Sequence, residues 1–246
     1  MTDHVRPVAV VPCAGLGTRL RPLTWAVPKE LLPYGPKTLL DHTLHELCRA
    51  GVERAIVVTR AGKEALREHV ERAGVPSGLR VEFVVQQQPR GLADALRAAR
   101  RALNGAPLLM ALPDQQLSDA SGQLVHYYRG QASLASLAQV PETELHYFPG
   151  AAGLEFDGPG PVHRVRGVLQ PSCCGTLRAF GRTVFDSKFL ELLPEQGEES
   201  DLGRCFLTYL QQGQHDCIAL AGRPADLGTM AGYLHYASLV EPDFVD

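Results

Sequence analysis

The chain has 246 residues, 45% of them apolar and 21% charged, with a formal net charge of −3 at pH 7. This is the balance of a globular protein with enough chain for one continuous core, and its basic residues are scattered, without a long run of like charge, so no nucleic-acid partner is expected. No stretch approaches the ~18 consecutive apolar residues of a membrane span, and Met1-Thr2-Asp3-His4 does not open a secretory signal, so a cytoplasmic protein without a membrane partner is expected.

Val8 to Val11 is a short apolar run, read as a buried strand, and a loop bearing Gly and Pro follows through Pro22. Leu39, Leu40, Thr43, Leu44 and Leu47 recur at helical spacing, with Gly51 where the helix should stop. Ala55 to Thr59 is the next strand, residues 62–73 the next helix, and Val81 to Val85 a third strand. Leu92, Ala95, Leu96, Ala99 and Leu103 share one helix face, and Pro107 to Leu112 forms a fourth strand that stops at Pro113-Asp114. Such alternation means parallel strands joined by crossover helices, and continuously apolar strands suit a sheet covered on both faces. The second half is less regular. Residues 141–161 read as an irregular excursion, Leu177 to Val184 as a strand, 186–193 and 199–211 as helices, Ile218 to Leu220 as a short strand, and a last helix follows Gly228. The expected fold is a single α/β domain over residues 1–246, with a Rossmann-like, mostly parallel sheet and helices on both faces.

Cysteines stand at 13, 48, 173, 174, 205 and 217, with no C-x-x-C pair and no His cluster to complete a zinc pattern, so they read as reduced thiols. Ligands of open parallel sheets sit beyond the carboxyl ends of the strands. That places Asp114 and the loop after Val11 in one crevice.

The loop itself is Pro12-Cys13-Ala14-Gly15-Leu16-Gly17-Thr18-Arg19. Glycine lets backbone approach a ligand closely, successive N–H groups form an anion-binding concavity, and Arg19 adds a planar set of donors suited to phosphate oxygens. The dinucleotide fingerprint fails here, because Leu20 stands where a third small residue is needed, and the Gly-Lys-Ser/Thr of a Walker A loop is absent. A bare G-x-G leaves both a phosphate cradle and an ordinary turn open.

The longer segment, Gly15-Leu16-Gly17-Thr18-Arg19-Leu20-Arg21-Pro22-Leu23-Thr24 through Pro28-Lys29-Glu30-Leu31-Leu32-Pro33, strongly resembles the A-G-x-G-T-R-x-x-P-x-T-x-x-x-P-K signature of sugar-1-phosphate nucleotidylyltransferases. Pro12 ahead of the Ala-Gly pair, and Lys-Glu rather than Lys-Gln, lean toward the bacterial glucose-1-phosphate uridylyltransferase branch. Gln86-Gln87-Gln88-Pro89-Arg90-Gly91-Leu92-Ala93 resembles the family's Q-x-x-P-x-G-L-A segment, Leu112-Pro113-Asp114 its strand-ending L-x-D, and Pro224-Ala225-Asp226-Leu227-Gly228-Thr229 its W-x-D-x-G-T; Glu199-Ser200-Asp201 also resembles the segment before a late helix.

The resemblance implies transfer of a nucleotidyl group from a nucleoside triphosphate, UTP first and dTTP next, to a sugar-1-phosphate such as glucose-1-phosphate, with release of pyrophosphate. It implies Mg²⁺ held by Asp114 and Asp226, and phosphates held by Arg19 and Lys29. The nucleotide would lie on Ala14, Gly15, Leu16, Gly17 and Thr18, its base read by Gln86 and Gly91. It also allows a homo-oligomer. One motif is missing: no Glu-Lys-Pro, which in the family holds sugar hydroxyls and sugar phosphate, exists in the chain. Its place falls near Arg166-Gly167-Val168, and Arg164 or Arg166 is the candidate replacement for its lysine. The gap keeps two alternatives open: a transferase for an unusual sugar or cyclitol phosphate, and a nucleotide-binding regulatory homologue with little activity.

Overall fold

The computed structural model describes residues 6–239, except residues 89, 131, 159, 171, 174, 194–201 and 214 and the side chain of residue 204. In chain order the first half contains β1 (Val8–Pro12), the one-turn helix α1 (Leu23–Ala26), a small ribbon of β2 (Pro33–Tyr34) and β3 (Lys37–Thr38), α2 (Leu39–Arg49), β4 (Arg54–Thr59), α3 (Glu64–Ala73), β5 (Arg80–Val85), α4 (Leu92–Leu103) and β6 (Leu108–Ala111). The remainder contains β7 (Gln115–Gln116), α5 (Ala120–Tyr127), β8 (Leu134–Gln139), β9 (Gly153–Asp157), β10 (Val162–Leu169), β11 (Leu177–Phe185), α6 (Leu202–Leu210), β12 (Asp216–Leu220), β13 (Ala225–Asp226) and α7 (Met230–Ala237).

Nine of the strands form one sheet in the order β5-β4-β1-β6-β11-β8-β12-β10-β9. Neighbours from β5 to β6 are parallel, as are β8 and β12, while β11 runs antiparallel to both β6 and β8. The carboxyl ends of β1, β4, β5, β6 and β8 therefore share one rim. Successive side chains of a strand point to opposite faces. In β1, Ala9 and Val11 pack into one core cluster with Leu44 and Leu47 of α2 and Leu66 and Val70 of α3. Val10 packs into a second cluster, on the opposite face, with Leu96, Ala99 and Leu103 of α4. Both faces are covered, which is why the strand is apolar without a break.

The expected elements of the first half form within two residues of their predicted ends. The second half departs in three places. Residues 141–161 contain 3₁₀ turns at Glu142–Tyr147 and then β9, which forms an antiparallel hairpin with β10. Its Gly153 and its polar Glu155 and Asp157 hide the strand from an apolar count. Residues 186–193 form only 3₁₀ turns at Ser187–Glu191, begun by Asp186, whose Oδ1 accepts from the N–H of Lys188 at 3.0 Å and of Phe189 at 3.2 Å. The helix expected over 199–211 is α6; residues 199–201, including the Glu-Ser-Asp segment, lie outside the described residues. The third departure is α5 and β8, which the residue pattern does not predict.

A buried ion pair ties this scaffold to the rim. Arg182 of β11 is wholly buried and pairs with Glu46 of α2. The same guanidinium donates to the carbonyl of Leu112 at 2.8 Å, two residues before Asp114. Glu46 in turn accepts from the N–H of Ser121, in the first turn of α5, at 2.6 Å.

Candidate active site

The loop after β1 is fixed at both ends. The Cys13 N–H donates to the Val58 carbonyl at 2.7 Å, continuing the β1–β4 ladder one residue past the strand. Gly17 takes a left-handed conformation (φ +65°), and a Cβ there would lie 2.9 Å from the Thr24 methyl. Only glycine permits both the turn and the contact. Thr24 closes the curl by donating its hydroxyl to the Gly17 carbonyl at 2.7 Å. Below the loop, the buried Lys63 ammonium donates to the Cys13 carbonyl at 2.7 Å and to Glu30 at 2.8 Å.

Lys29 and Asp114 meet at the rim, with Lys29 Nζ 2.6 Å from Asp114 Oδ2. Burial alone would raise the Asp114 pKa, but the Lys29 charge and its hydrogen bond outweigh it and hold the carboxyl below its usual range. Lys29 shows the reciprocal effect: burial works against the ammonium, and the Asp114 carboxylate more than restores it, raising its pKa.

Asp226 arrives from the other end of the chain by backbone pairing. β13 lies antiparallel to β7 with Asp226 opposite Gln115, and the Leu227 N–H donates to the Asp114 carbonyl at 2.7 Å. Asp226 accepts from the Gln115 amide at 3.1 Å and from the Gly228 N–H at 2.9 Å. A Cβ placed on Gly228 would sit 2.8 Å from Asp114 Oδ2, 3.0 Å from Asp226 Oδ1 and 3.2 Å from Arg19 Nη2. Two carboxylates and a guanidinium thus converge on one point. Burial, reinforced by the neighbouring Asp114 charge, pushes Asp226 up to about 6. Two buried carboxylates that repel each other form a hard-oxygen donor pair suited to a divalent cation. Among the described residues no group of three or more His, Cys, Asp and Glu could hold a metal.

The far wall is built from the loop after β5. The Gln86 N–H extends the sheet to the Thr59 carbonyl at 2.7 Å. Its side-chain amide donates to Asp94 at 2.6 Å and more distantly to the Gly91 carbonyl at 3.4 Å. Asp94, in the first turn of α4, is itself ion-paired with Arg97 and Arg90. Gly91 has φ +110°, a conformation closed to side chains. The Gln86 amide nitrogen is thereby committed within the protein, and the side-chain carbonyl keeps its accepting capacity. Asp94 and Lys63 have roles no motif signals: Lys63 acts on segments distant in the chain, Asp94 on a glutamine eight residues before it, and each sits on a helix face or loop where an exposed charge is ordinary.

Ala14, Gly15, Arg19, Lys29, Gln86, Gly91 and Asp114 line one cleft of about 290 Å³ at the rim. Leu16, Gly17 and Thr18 continue the loop beyond this lining, and Asp226 stands at its edge beside Asp114. A larger cavity, about 610 Å³, opens at the opposite rim beside Arg164, Asp186 and Asp216 and contains none of these residues.

Arg164 and Arg166 do not reach the cleft. β10 is antiparallel to β12 with Arg164 opposite Asp216, the first residue of β12, so Arg164 lies at the far rim and pairs with Asp216 at 2.7 Å. Arg166 pairs with Asp157 of the outermost strand at 2.7 Å. Each arginine is committed to an acidic partner outside the lining of the cleft, so neither stands where a replacement for the missing lysine was expected.

A parallel-rooted sheet with a glycine loop, a lysine and two aspartates at its carboxyl rim defines a class of α/β proteins built around phosphate groups. The nucleotidyl transferase family profile matches residues 8–241, and the chain belongs to that family. It is 30% identical over 216 residues to the UTP–glucose-1-phosphate uridylyltransferase of Bacillus subtilis (strain 168), a match covering 76% of this chain and 73% of that protein. The crystal structure of a UDP-glucose pyrophosphorylase complexed with UDP-glucose superposes with a TM-score of 0.82 at 20% identity, covering 95% of this chain and 98% of that one. A UTP-bound UGPase from Acinetobacter baumannii gives 0.80 at 23% identity, covering 95% and 93%. At those identities the structural likeness speaks for the fold. Among the described residues no helix is long and apolar enough to cross a membrane.

Proposed function

We propose that this nucleotidyl transferase uses UTP, with dTTP next, and a sugar-1-phosphate, glucose-1-phosphate first, and releases pyrophosphate. The observation that carries the reading is the convergence of Asp114, Asp226 and Arg19 on one point, with Lys29 bonded to Asp114, at the mouth of a cleft walled by Gln86 and Gly91. In the proposed reaction a phosphate oxygen of the sugar-1-phosphate forms a bond to the α-phosphorus, and the bond from that phosphorus to the β-phosphate bridging oxygen breaks. Pyrophosphate carries away that electron pair, and no covalent enzyme intermediate forms.

Catalysis is positioning and charge neutralisation. The N–H groups of the Ala14–Thr18 loop and Arg19 hold the leaving phosphates. Lys29 faces the reacting phosphate. Gln86 accepts from the ring N–H of a uracil or thymine through its free carbonyl, and the Gly91 backbone reads an adjacent edge. Asp114 and Asp226 would hold Mg²⁺, whose remaining positions suit triphosphate oxygens and water; the ion would supply further neutralisation of phosphate charge.

The test is pyrophosphate release with Mg²⁺, each nucleoside triphosphate being run against glucose-1-phosphate. Release with UTP above the other triphosphates is expected, and Asp114→Asn should abolish it while the far-UV spectrum stays native. Equal turnover by Asp114→Asn would sink the assignment of the acidic pair. A second reading is favoured by one observation: both arginines of β10 are already paired away from the cleft. On that reading the acceptor is an unusual sugar or cyclitol phosphate, or the chain binds nucleotide in a regulatory role. Triphosphate binding without pyrophosphate release from glucose-1-phosphate would favour it.

A further inference from the structure

We infer that Lys63 and Glu30, a buried ion pair beneath the cleft, are positioning residues that hold the glycine loop and Lys29 at a fixed spacing for nucleotidyl transfer. The inference rests on the reading that the loop and Lys29 face the phosphates.

The Lys63 side chain is 5% exposed and that of Glu30 is fully buried. Lys63 belongs to neither segment it joins. It precedes α3, whose Leu66 and Val70 are locked into the core. From that anchored base its ammonium reaches the Cys13 carbonyl at 2.7 Å, at the root of the loop, and Glu30 at 2.8 Å, the residue after Lys29. The two segments are thus held by one cation, and each carries a group assigned to phosphate.

Stability does not account for the pair. Moving two charges out of water costs more than their attraction commonly returns, and apolar replacements of both partners are often as stable or more so. Here the compensation is incomplete: Glu30 Oε1 is buried and accepts no hydrogen bond among the described residues. Burial accordingly raises the Glu30 pKa against the lowering effect of Lys63. What the arrangement does provide is geometry. The loop is built of residues with little side chain to anchor it, and a Cβ on Gly15 would meet nothing within 4 Å. Groups that must match a transition state tolerate little error, and a displacement of about 1 Å can cost about 10²-fold in rate.

The experiment separates fold from rate. Lys63→Met alone leaves Glu30 buried and unpaired, and its Tm should fall by on the order of 10 °C. The double variant E30L/K63M should recover Tm to within a few degrees. Its kcat for pyrophosphate release should nevertheless stay about 10²-fold below wild type, while the Kd for UTP with Mg²⁺ moves less than about threefold, because ground-state contacts survive a loosened frame. A double variant that regained both Tm and kcat would overturn the inference, since the pair would then be structural only. Glu30→Gln guards against a double variant that does not fold. It keeps an acceptor for the Lys63 ammonium, so kcat should stay within about threefold of wild type; a loss of about 10²-fold there would overturn the tether by showing that the charge itself is used. Wild type that neither binds UTP nor turns over would remove the functional reading and this inference together, whereas active wild type with an active double variant would remove the inference alone.

Discussion

At the scale of single residues, Gly228 sets how closely the acidic pair can approach. Its backbone lies outside the left-handed region, so alanine fits the chain conformation without strain. The obstacle is the side chain: a methyl would lie 2.8 Å from Asp114 Oδ2, closer than real Cβ contacts, and a tight 3.0 Å from Asp226 Oδ1. One carboxylate must move. Gly228→Ala is therefore expected to melt close to wild type while losing about 10²-fold in kcat, the cost of roughly 1 Å of misplacement. Parallel melting curves and pyrophosphate assays would check it; wild-type turnover would mean that the pair need not meet at this point. The aspartates themselves were legible as motif members. Their meeting at one ion was implied by the resemblance as well; the pairing of β7 with β13 that brings them together was not legible, because each strand is only two residues long and the two are more than a hundred residues apart.

At the scale of elements, α4 is joined to the wall of the cleft through Asp94. Burial works to raise the Asp94 pKa, yet the hydrogen bonds from Arg97 and Gln86, with the Arg97 charge, hold it below the usual carboxylate range. The sign follows from proton binding. As pH falls through about 4, the unfolded chain takes up a proton at this position before the folded protein does. The stabilisation is therefore complete above about pH 4 and is lost as pH drops through the lower folded value. Asp94→Asn cannot titrate, so the stability gap between wild type and variant, measured by urea unfolding, should narrow below about pH 4; a gap that widened on acidification would reverse the assignment. The same substitution frees the Gln86 amide to turn, and KM for UTP should rise with kcat nearly unchanged if the base is held equally in ground and transition states. Element boundaries were readable where apolar runs were long, as in β4 and α4. They failed at β8, whose Leu-Ala-Ser-Leu-Ala-Gln is buried through its first five residues but mixes small and polar types that neither period two nor period 3.6 picks out.

At the scale of the whole molecule, the Arg182–Glu46 pair joins what the two halves of the sequence contribute. Glu46 belongs to the regular first half and Arg182 to β11, the strand through which the sheet turns antiparallel. Arg182 also caps the Leu112 carbonyl at the end of β6. An arginine in a strand is ordinarily read as solvent-facing, so its full burial could not be inferred before its partner's place was known. Arg182→Met would remove the cation and leave the Glu46 carboxylate buried with, among the described residues, the Ser121 N–H alone to meet it. Breaking such a pair from one side costs about 3–5 kcal/mol, and at about 2–4 °C per kcal/mol for a chain of this size the melt should move down by roughly 10 °C. Adding Glu46→Leu should return most of that loss, because no charge then remains to be solvated. Turnover divides the two roles of the guanidinium. The double variant still lacks the donor to the Leu112 carbonyl, so its kcat should remain below wild type even at wild-type Tm, and equal kcat would show that β6 places Asp114 without help from β11.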